Sequence, residues 1–355
     1  MWLKFEQRPE PSKTMSYLSP ILAVGLMFLS GLILFLVLGK SPVEGFKVFF
    51  INPLRDSYGV AELFLKATPL MLCAVGLSVG FKANVWNIGA EGQLLVGALV
   101  GGWLALHFEA STSPFLLPGM IVAGALGGMA WAAIPAFLRT RFNANEILTS
   151  LMLVYIAELV VSWLVHGPWK DPNGFNFPQT KLLSATATLP ILLAGTRVNA
   201  ALLLGIGALL VGWIFMNKSF QGYQMKVAGQ AEHAGRYAGF SAKRSVWIGM
   251  LAGGAMAGIA GISEVSGPIG QITEHISPGY GFAAMIVAFV GRLSPIGIFF
   301  SSLLMALLYM GGEQAQQYLN LPSSISKVFQ GMLLFFLLGS DVFINFRPRL
   351  VRRGK

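Results

Sequence analysis

Long apolar runs, separated by only brief polar breaks, recur along the whole of this 355-residue chain. The first run lies between Lys13 and Lys40, which bracket 26 uncharged residues. It is longer than the apolar core of a secretory signal, about 7–15 residues, and no small-residue cleavage site follows it. At a rise of about 1.5 Å per residue, residues 16–38 form a helix that is long enough to cross a bilayer. The first run therefore predicts a membrane-spanning helix rather than a cleaved leader.

Composition extends this interpretation to the rest of the chain. Hydrophobic residues make up 55% of the sequence and charged residues only 11%, against about 25% charged residues in an average soluble protein. We therefore expect an all-α, polytopic helical membrane protein with about ten transmembrane helices. The predicted spans are residues 16–38, 60–81, 91–107, 115–138, 146–166, 198–216, 245–265, 280–291, 295–311 and 322–339.

Basic residues indicate on which side of the membrane each loop lies. Of the 25 Lys and Arg residues, 17 fall on the predicted cytoplasmic side and 8 on the other, in agreement with ten spans and two cytoplasmic termini. The net charge of +10 also comes from basic residues that flank the predicted spans on the cytoplasmic side. The sequence has no basic patch interleaved with aromatic residues that would indicate a nucleic-acid partner. The predicted domains are a cytoplasmic tail (1–15), a transmembrane domain (16–341) with a cytoplasmic loop (217–244), and a basic cytoplasmic tail (342–355).

A polar, glycine-rich stretch interrupts the apolar pattern at residues 81–93. Polar side chains at membrane depth are costly unless they face protein or a water-filled cavity, so a translocation path is first sought here and at the next polar break. The candidate path residues are Asn87, Glu91, Gln93, Asn143, Asn145 and Glu146. Their amides suit a neutral, polyhydroxy or base-bearing solute. Capping is the alternative, because Glu91 and Glu146 both lie at predicted helix starts, where the helix dipole favours a carboxylate.

Two segments resemble each other weakly. Residues 84–103 and 277–295 both run from a glycine-rich start into a short helix with many small residues. Short or glycine-interrupted helices in two halves of a transporter are typical of an internal repeat around a central path. An internal pseudo-repeat is therefore one interpretation of this similarity.

The predicted cytoplasmic loop, 217–244, is the longest hydrophilic connection in the chain. After Gly229, residues 230–237 are predicted to form a short helix whose small residues leave one side flat and whose Tyr237 is an aromatic anchor. Such a helix suits docking into a groove on a partner protein; an inert amphipathic linker is the alternative. The candidate docking residues are Gln230, Ala231, His233, Ala234, Gly235, Arg236, Tyr237 and Gly239.

No pattern in the sequence indicates catalysis. The chain lacks a Walker A loop and the sequences H-E-x-x-H, G-x-S-x-G and C-x-x-C. Cys73 is its single cysteine, and its four histidines are scattered over different loops. We therefore predict a non-catalytic membrane protein without a metal site or a cofactor of its own.

Four motifs carry a resemblance to a known family. They are Asn87-Ile88-Gly89-Ala90-Glu91-Gly92-Gln93, Arg141-Phe142-Asn143-Ala144-Asn145-Glu146, Val227-Ala228-Gly229 with Tyr237-Ala238-Gly239-Phe240, and the run 279–292. These motifs follow one another in this order on the predicted topology. By them the chain resembles the membrane permease subunits of bacterial ABC importers in the branched-chain amino acid/ribose-type permease family. It is most similar to the longer of the two permeases in the nucleoside-uptake branch of that family.

The resemblance implies a permease that works by alternating access in the bacterial cytoplasmic (inner) membrane, most often on a nucleoside. Its implied partners are ABC ATPase subunits that bind ATP and Mg, a second permease in a heterodimer or homodimer, and an extracytoplasmic or lipoprotein solute-binding protein. The predicted helix at 230–240 would be the coupling helix. The family usually has two alanines where this chain has Ala234-Gly235, and glycine weakens a helix by up to about 1 kcal/mol relative to alanine.

Other functions stay open at the level of sequence. A ribose-like sugar or another small solute is the alternative substrate for the same machinery. An ATP-independent secondary transporter or channel is the alternative of another class, and it would need ion ligands inside its helices. Glu158 and Glu264 are the only acidic residues placed that way in the later spans, and neither has an obvious basic partner. A scaffold without transport activity is a third class.

Overall fold

Helices dominate the computed structural model, which describes residues 2–351. The α-helices are α1 (Lys13–Val37), α2 (Pro42–Phe46), α3 (Ser57–Lys82), α4 (Ala90–His107), α5 (Leu116–Phe142), α6 (Glu146–His166), α7 (Ala201–Lys218), α8 (Phe220–Gln230), α9 (Glu232–Tyr237), α10 (Ala242–Glu264), α11 (Tyr280–Val290), α12 (Pro295–Leu319) and α13 (Ile325–Asn345). Short π-helical segments follow α2 and α10, at Lys47–Ile51 and Val265–Ile269. Two strands, β1 (Trp2–Gln7) and β2 (Phe346–Val351), complete the described chain.

Eight helices within residues 2–351 are long and apolar enough to cross a membrane. They are α1, α3, α5, α6, α7, α10 with its π-helical extension, α12 and α13. The polytopic helical class is therefore confirmed. The remaining two of the ten predicted spans correspond to α4, which carries Glu91 and Gln93 in its first turns, and α11, which has only 11 residues. Both were predicted to be short helices.

The two ends of the chain belong to one compact unit, formed by residues 1–59 and 307–355. β1 pairs with β2 in antiparallel register from Trp2↔Val351 to Gln7↔Phe346. The N-terminal segment predicted as a tail is thus a strand followed by α1, whose first turn is capped by the Ser12 hydroxyl. The predicted basic tail likewise ends α13 and continues as β2; its residues 352–355 lie outside the described part of the chain. A small sheet is therefore present in a fold predicted to be all-α.

Phenylalanine rings fill the interior of this terminal unit. α1 packs along α13, and a Cβ atom at Gly31 would come within 2.4 Å of the Phe329 ring, so glycine is what lets the ring reach the backbone of α1. Phe329 also contacts Phe49, with ring centroids 4.5 Å apart, and both side chains are fully buried. The unit is therefore held by aromatic contacts between segments from opposite ends of the sequence.

The second compact unit comprises residues 60–306 and has α4 at its centre, packed against α5, α6 and α10. Glycines let these helices touch backbone to backbone. A Cβ atom at Gly97 would lie 2.2 Å from the Cα atom of Gly258, and one at Gly128 would lie 2.1 Å from the carbonyl oxygen of Gly254. Close approach at small residues is how membrane helices gain contact area without a hydrophobic driving force. The glycines of α4, α5 and α10 thus let these three helices pack closely.

The long connection between α6 and α7 is folded onto the end of α10. Thr180 N donates to the carbonyl oxygen of Ile272 (2.9 Å), and Leu189 N donates to that of Ser266 (2.7 Å). These bonds satisfy backbone groups that a loop at a membrane boundary would otherwise leave unpaired. They also fix the last part of the loop, which carries Arg197, next to the start of α3.

Candidate functional site

The segment between α3 and α4 is closed by a pair of buried amides. Asn87 Nδ2 donates to Gln93 Oε1 (2.9 Å), and Gln93 Nε2 donates back to Asn87 Oδ1 (3.0 Å). The same Asn87 oxygen accepts from Gly89 N (3.0 Å), which forms the turn into α4. Both side chains are only 1% exposed. The two amides therefore satisfy each other away from lipid, as buried polar groups must.

Glu91, in the first turn of α4, contacts the start of α11. Its Oε2 accepts from Gly281 N (2.6 Å), and the carboxylate also hydrogen-bonds with the Ser277 side chain and the Gly279 backbone. A Cβ atom at Gly281 would lie 2.2 Å from Glu91 N, so the two helix starts meet at backbone distance. A carboxylate beside two helix N-termini is favoured by the dipoles of both helices. The two segments predicted as an internal repeat thus come together here, although the repeat itself stays a prediction.

The second predicted polar group forms the connection between α5 and α6. Asn143 adopts the left-handed conformation (φ 55°) that ends α5, and Asn145 caps α6 by accepting from Ile147 N (2.9 Å). Glu146 forms an ion pair with Arg139 on the last turn of α5. Asn143 and Asn145 are exposed, whereas the first polar group is buried. The structure therefore assigns capping contacts to these residues, and their contact with solute stays a prediction.

One hydrogen bond joins α6 to the first polar group. Ile88 N donates to the hydroxyl of Ser150 (3.3 Å), and Ser150 is buried on α6. A Cβ atom at Gly89 would lie 2.9 Å from the Ser150 Cβ, so the turn into α4 rests directly on α6. Ser150, rather than Asn143, Asn145 or Glu146, is thus the α6 side chain that the fold brings to the buried amides.

The predicted docking helix is shorter than expected. Gln230 is the last residue of α8, Ala231 breaks the helical path (φ −149°, ψ 80°), and α9 begins at residue 232. His233, Ala234 and Arg236 are exposed, and Tyr237 is 97% exposed. Gly239 ends the segment with φ 77°, a left-handed conformation that favours glycine. α9 therefore carries an exposed aromatic side chain at its last residue.

Gly235 of α9 is buried and faces α8. A Cβ atom there would meet the Cα atom of Ala228 at 3.6 Å, which is ordinary van der Waals contact. The alanine that the resemblance leads one to expect at this position would therefore fit. The glycine weakens the helix through backbone entropy and not because the space requires it.

α8 lies where the sequence predicts a loop, and it anchors α9 to the rest of the second unit. Its Met225 is 1% exposed and lies in a cluster with Val79, Ala132, Met216 and Met250 from four other helices. Gly229 lies against the end of α3, because a Cβ atom there would come within 2.2 Å of the Lys82 carbonyl oxygen. α8 thus joins α9 to the chain just before the buried amides. The sequence indicates α8 in one respect: Gly222, Met225 and Gly229 fall on one side of a short helix.

A group of charged residues near the start of α3 was largely missed by sequence reasoning. Glu62 is 7% exposed and accepts two hydrogen bonds from Arg197, at 2.8 and 2.6 Å. Glu264 on α10, for which the sequence offered no obvious basic partner, lies within electrostatic range of Lys66 and Arg197. A single arginine at the end of a long loop gives no periodic signal, so only the folded chain reveals this group.

Comparison with known proteins agrees with this architecture. A family described as branched-chain amino acid transport system / permease component matches residues 59–338. The glucose ABC transporter permease protein TsgB13 of Haloferax volcanii is 34% identical, over 99% of this chain and 96% of its own length. The nucleoside ABC transporter permease protein NupB of Lactococcus lactis is 31% identical, over 92% of both chains. The guanosine ABC transporter permease protein NupP of Bacillus subtilis is 27% identical, over 95% of this chain and 97% of its own length.

The family match covers most of the chain, including the buried amides, α8, α9 and the charged group at the start of α3. One relative aligns over nearly the whole length at more than 30% identity. The chain therefore belongs to the family of branched-chain amino acid transport system permease components, the membrane permease subunits of ABC importers.

Proposed function

We propose that this permease imports a small polar solute, a nucleoside, in an ATP-driven ABC importer of the bacterial cytoplasmic membrane. In this proposal ATP and Mg are bound and ATP is hydrolysed on separate ATPase subunits. A second permease completes the translocation unit, and an extracytoplasmic binding protein delivers the solute. The observation that carries the proposal is the exposed α9, which packs on α8, while the end of α8 lies against the end of α3.

That arrangement supports coupling between α9 and the solute path. An ATPase docked on α9 moves α8, because Gly235 of α9 packs on α8 within van der Waals distance. α8 in turn contacts the Lys82 carbonyl through Gly229, just before the buried amides. Force on α9 is therefore applied close to residues 81–93. Of the exposed side chains of α9, Tyr237 and Ala234 are those with which a groove on the ATPase would make contact.

The hypothesis that solute passes near Asn87, Glu91 and Gln93 stays part of the proposal. Their polar atoms already have protein partners. A solute that touches them therefore replaces an existing hydrogen bond, which costs less for an amide that both donates and accepts. Neutral solutes rich in hydroxyl and ring-nitrogen groups meet that condition, as nucleosides do.

Nucleoside is favoured over sugar because relatives named for nucleoside and for guanosine transport match more than nine-tenths of the chain. A sugar is the second candidate, because the relative that is 34% identical is named for glucose. The two are separated by competition. In proteoliposomes that contain the complete importer, unlabelled nucleoside should abolish uptake of a labelled nucleoside, whereas a hundredfold excess of glucose should leave it unchanged. Uptake of labelled glucose that unlabelled glucose abolishes and a hundredfold excess of nucleoside leaves unchanged would identify a sugar importer.

The coupling mechanism is tested with α9 variants in the same vesicles. Ala234→Glu places a charge on the exposed side of α9, and ATP-dependent uptake should fall at least tenfold together with co-purification of the ATPase. Gly235→Ala is the matched control: its methyl group faces α8, so uptake should be retained. Uptake unaffected by Ala234→Glu would remove α9 from the mechanism.

The ATP-independent class is tested by leaving the ATPase out. Vesicles that hold only the two permeases should show no solute flux down a gradient. Flux at a rate comparable with that of the complete importer would indicate a channel or secondary transporter instead.

A further inference from the structure

An apolar cavity of about 340 Å³ opens between α4, α5 and α6. Every side chain that lines it is aliphatic or tryptophan; Val96, Val100, Trp131, Val160 and Leu164 are among them. The Trp131 indole N–H is already satisfied by the carbonyl oxygen of Leu153 (3.2 Å). The cavity therefore offers no polar group to a solute and suits a hydrocarbon chain.

A second cavity of about 380 Å³ adjoins the first at the ends of α4 and α6. Its polar lining comes from His107 and Glu109, just after α4, and from Lys170 and Lys181 in the α6–α7 connection. Lys181 donates to Glu109 (3.2 Å), and Lys170 contacts Asn176. Each ammonium has three donors and uses one of them in these contacts, so both lysines can still bind an anion.

Trp103 and Trp169 line both cavities. Trp103 is 47% exposed, and its ring stacks on His107 with centroids 5.2 Å apart. Tryptophan with one apolar and one wet side is typical of the boundary between hydrocarbon and headgroups in a bilayer. The two cavities thus form one continuous site with an apolar part, an aromatic boundary and a cationic part.

We propose that this site binds one acidic phospholipid, with an acyl chain between α4, α5 and α6 and the phosphate beside Lys170 and Lys181. The charges favour an anion, because two lysines face a single carboxylate, Glu109. The apolar part favours a lipid over a free anion. A zwitterionic lipid would fill the apolar part equally well but would gain less from the lysines. The proposal does not depend on which solute the importer carries.

The experiment uses the purified full-length chain, stripped of lipid by detergent exchange and then offered equal amounts of phosphatidylglycerol and phosphatidylcholine with identical acyl chains. Bound lipid is counted by native mass spectrometry. The wild-type chain should retain several-fold more phosphatidylglycerol. Lys170→Gln with Lys181→Gln should reduce retention of phosphatidylglycerol to about that of phosphatidylcholine and leave retention of phosphatidylcholine unchanged.

Two further variants make the result specific. Lys40→Gln with Lys47→Gln removes the same charge on the same predicted side of the membrane, outside the site, and should change nothing. Glu109→Gln frees Lys181 from its carboxylate and should raise retention of phosphatidylglycerol, a direction that general damage to the fold would not produce.

The apolar part is tested separately. Val160→Trp fills the cavity and should reduce retention of both lipids, with thermal unfolding unchanged to show that the chain is intact. Equal retention of the two lipids by the wild-type chain, or an equal loss in the Lys40/Lys47 control, would overturn the proposal. Displacement of phosphatidylglycerol by inorganic phosphate at millimolar concentration would also overturn it, because the site would then be one for a free anion.

Discussion

Arg197 and Glu62, which lie 135 residues apart in the sequence, form an ion pair with two hydrogen bonds, Nε to Oε1 at 2.8 Å and Nη2 to Oε2 at 2.6 Å. The carboxylate side chain is 8% exposed, whereas the guanidinium side chain is 52% exposed. The pair thus joins the loop before α7 to the first turns of α3 at a place that solvent or solute can reach from the arginine side. Planar, two-bond geometry of this kind is available to arginine and not to lysine.

The first prediction concerns that pair. Arg197→Gln removes both hydrogen bonds that the buried Glu62 carboxylate accepts from the guanidinium and should lower stability by about 1–3 kcal/mol, less than for a fully buried pair because the arginine is half exposed. Thermal unfolding of the detergent-solubilised chain measures this. Glu62→Gln combined with Arg197→Gln should lose less than the sum of the single variants. Strict additivity would show that the two residues do not stabilise each other.

A second prediction compares two glycines, Gly229 in α8 and Gly235 in α9. Gly229→Ala places a methyl group 2.2 Å from the Lys82 carbonyl oxygen, so α8 must move away from α3 and the unfolding temperature should fall by several degrees. Gly235→Ala meets no atom closer than 3.6 Å and should raise stability by up to about 1 kcal/mol. Equal effects of the two substitutions would contradict the contact between α8 and the end of α3.

The contact between Glu91 and α11 supports a third prediction. Glu91→Ala removes the acceptor for Gly281 N, and an unpaired buried donor should cost about 1–3 kcal/mol. Glu91→Gln keeps an acceptor oxygen and should cost less. Gly281→Ala, whose methyl group would meet Glu91 N at 2.2 Å, should be at least as harmful as Glu91→Ala. A Gly281→Ala chain that unfolds at the wild-type temperature would contradict the meeting of the two helix starts.

The fourth prediction separates capping from solute contact at the α5–α6 connection. Asn143→Gly preserves the left-handed conformation and should keep both stability and uptake. Asn145→Ala removes the cap of α6 and should cost about 1 kcal/mol in stability. If Asn143 contacts solute, Asn143→Gly should instead lower uptake while the unfolding temperature stays unchanged. Uptake assays and thermal unfolding on the same preparations distinguish the two roles.

The parts of the fold that could be predicted from the sequence follow from composition and helix-start chemistry. α6 begins at Glu146 and ends at His166, as predicted, because Asn145 caps one end and Gly167 follows the other. α12 begins at Pro295 as predicted but continues to Leu319, beyond the predicted end at residue 311. A helix that continues into polar residues gives no hydropathy signal for its end.

The candidate site could be predicted only where its chemistry is local. The buried position of Asn87 and Gln93, six residues apart, follows from a polar run between apolar spans. The Arg197–Glu62 pair and the contact of Gly229 with Lys82 depend on how distant segments meet, and no periodicity encodes that. α8 was missed for another reason: fewer than half of its residues are hydrophobic, and the helix is defined by packing of Met225 rather than by its composition.

The pairing of β1 with β2 has a consequence for how the chain is made. Ser19 of α1 hydrogen-bonds to Asp341 of α13, 322 residues later, and the strands beyond them are further apart still. During synthesis α1 leaves the ribosome before the segment 60–306, yet its partner helix α13 follows that segment. The terminal unit therefore stays incomplete until α13 has been made, when the segment 60–306 already has all of its own residues. A chain truncated just before α13 should therefore leave α1 without the surface on which it packs.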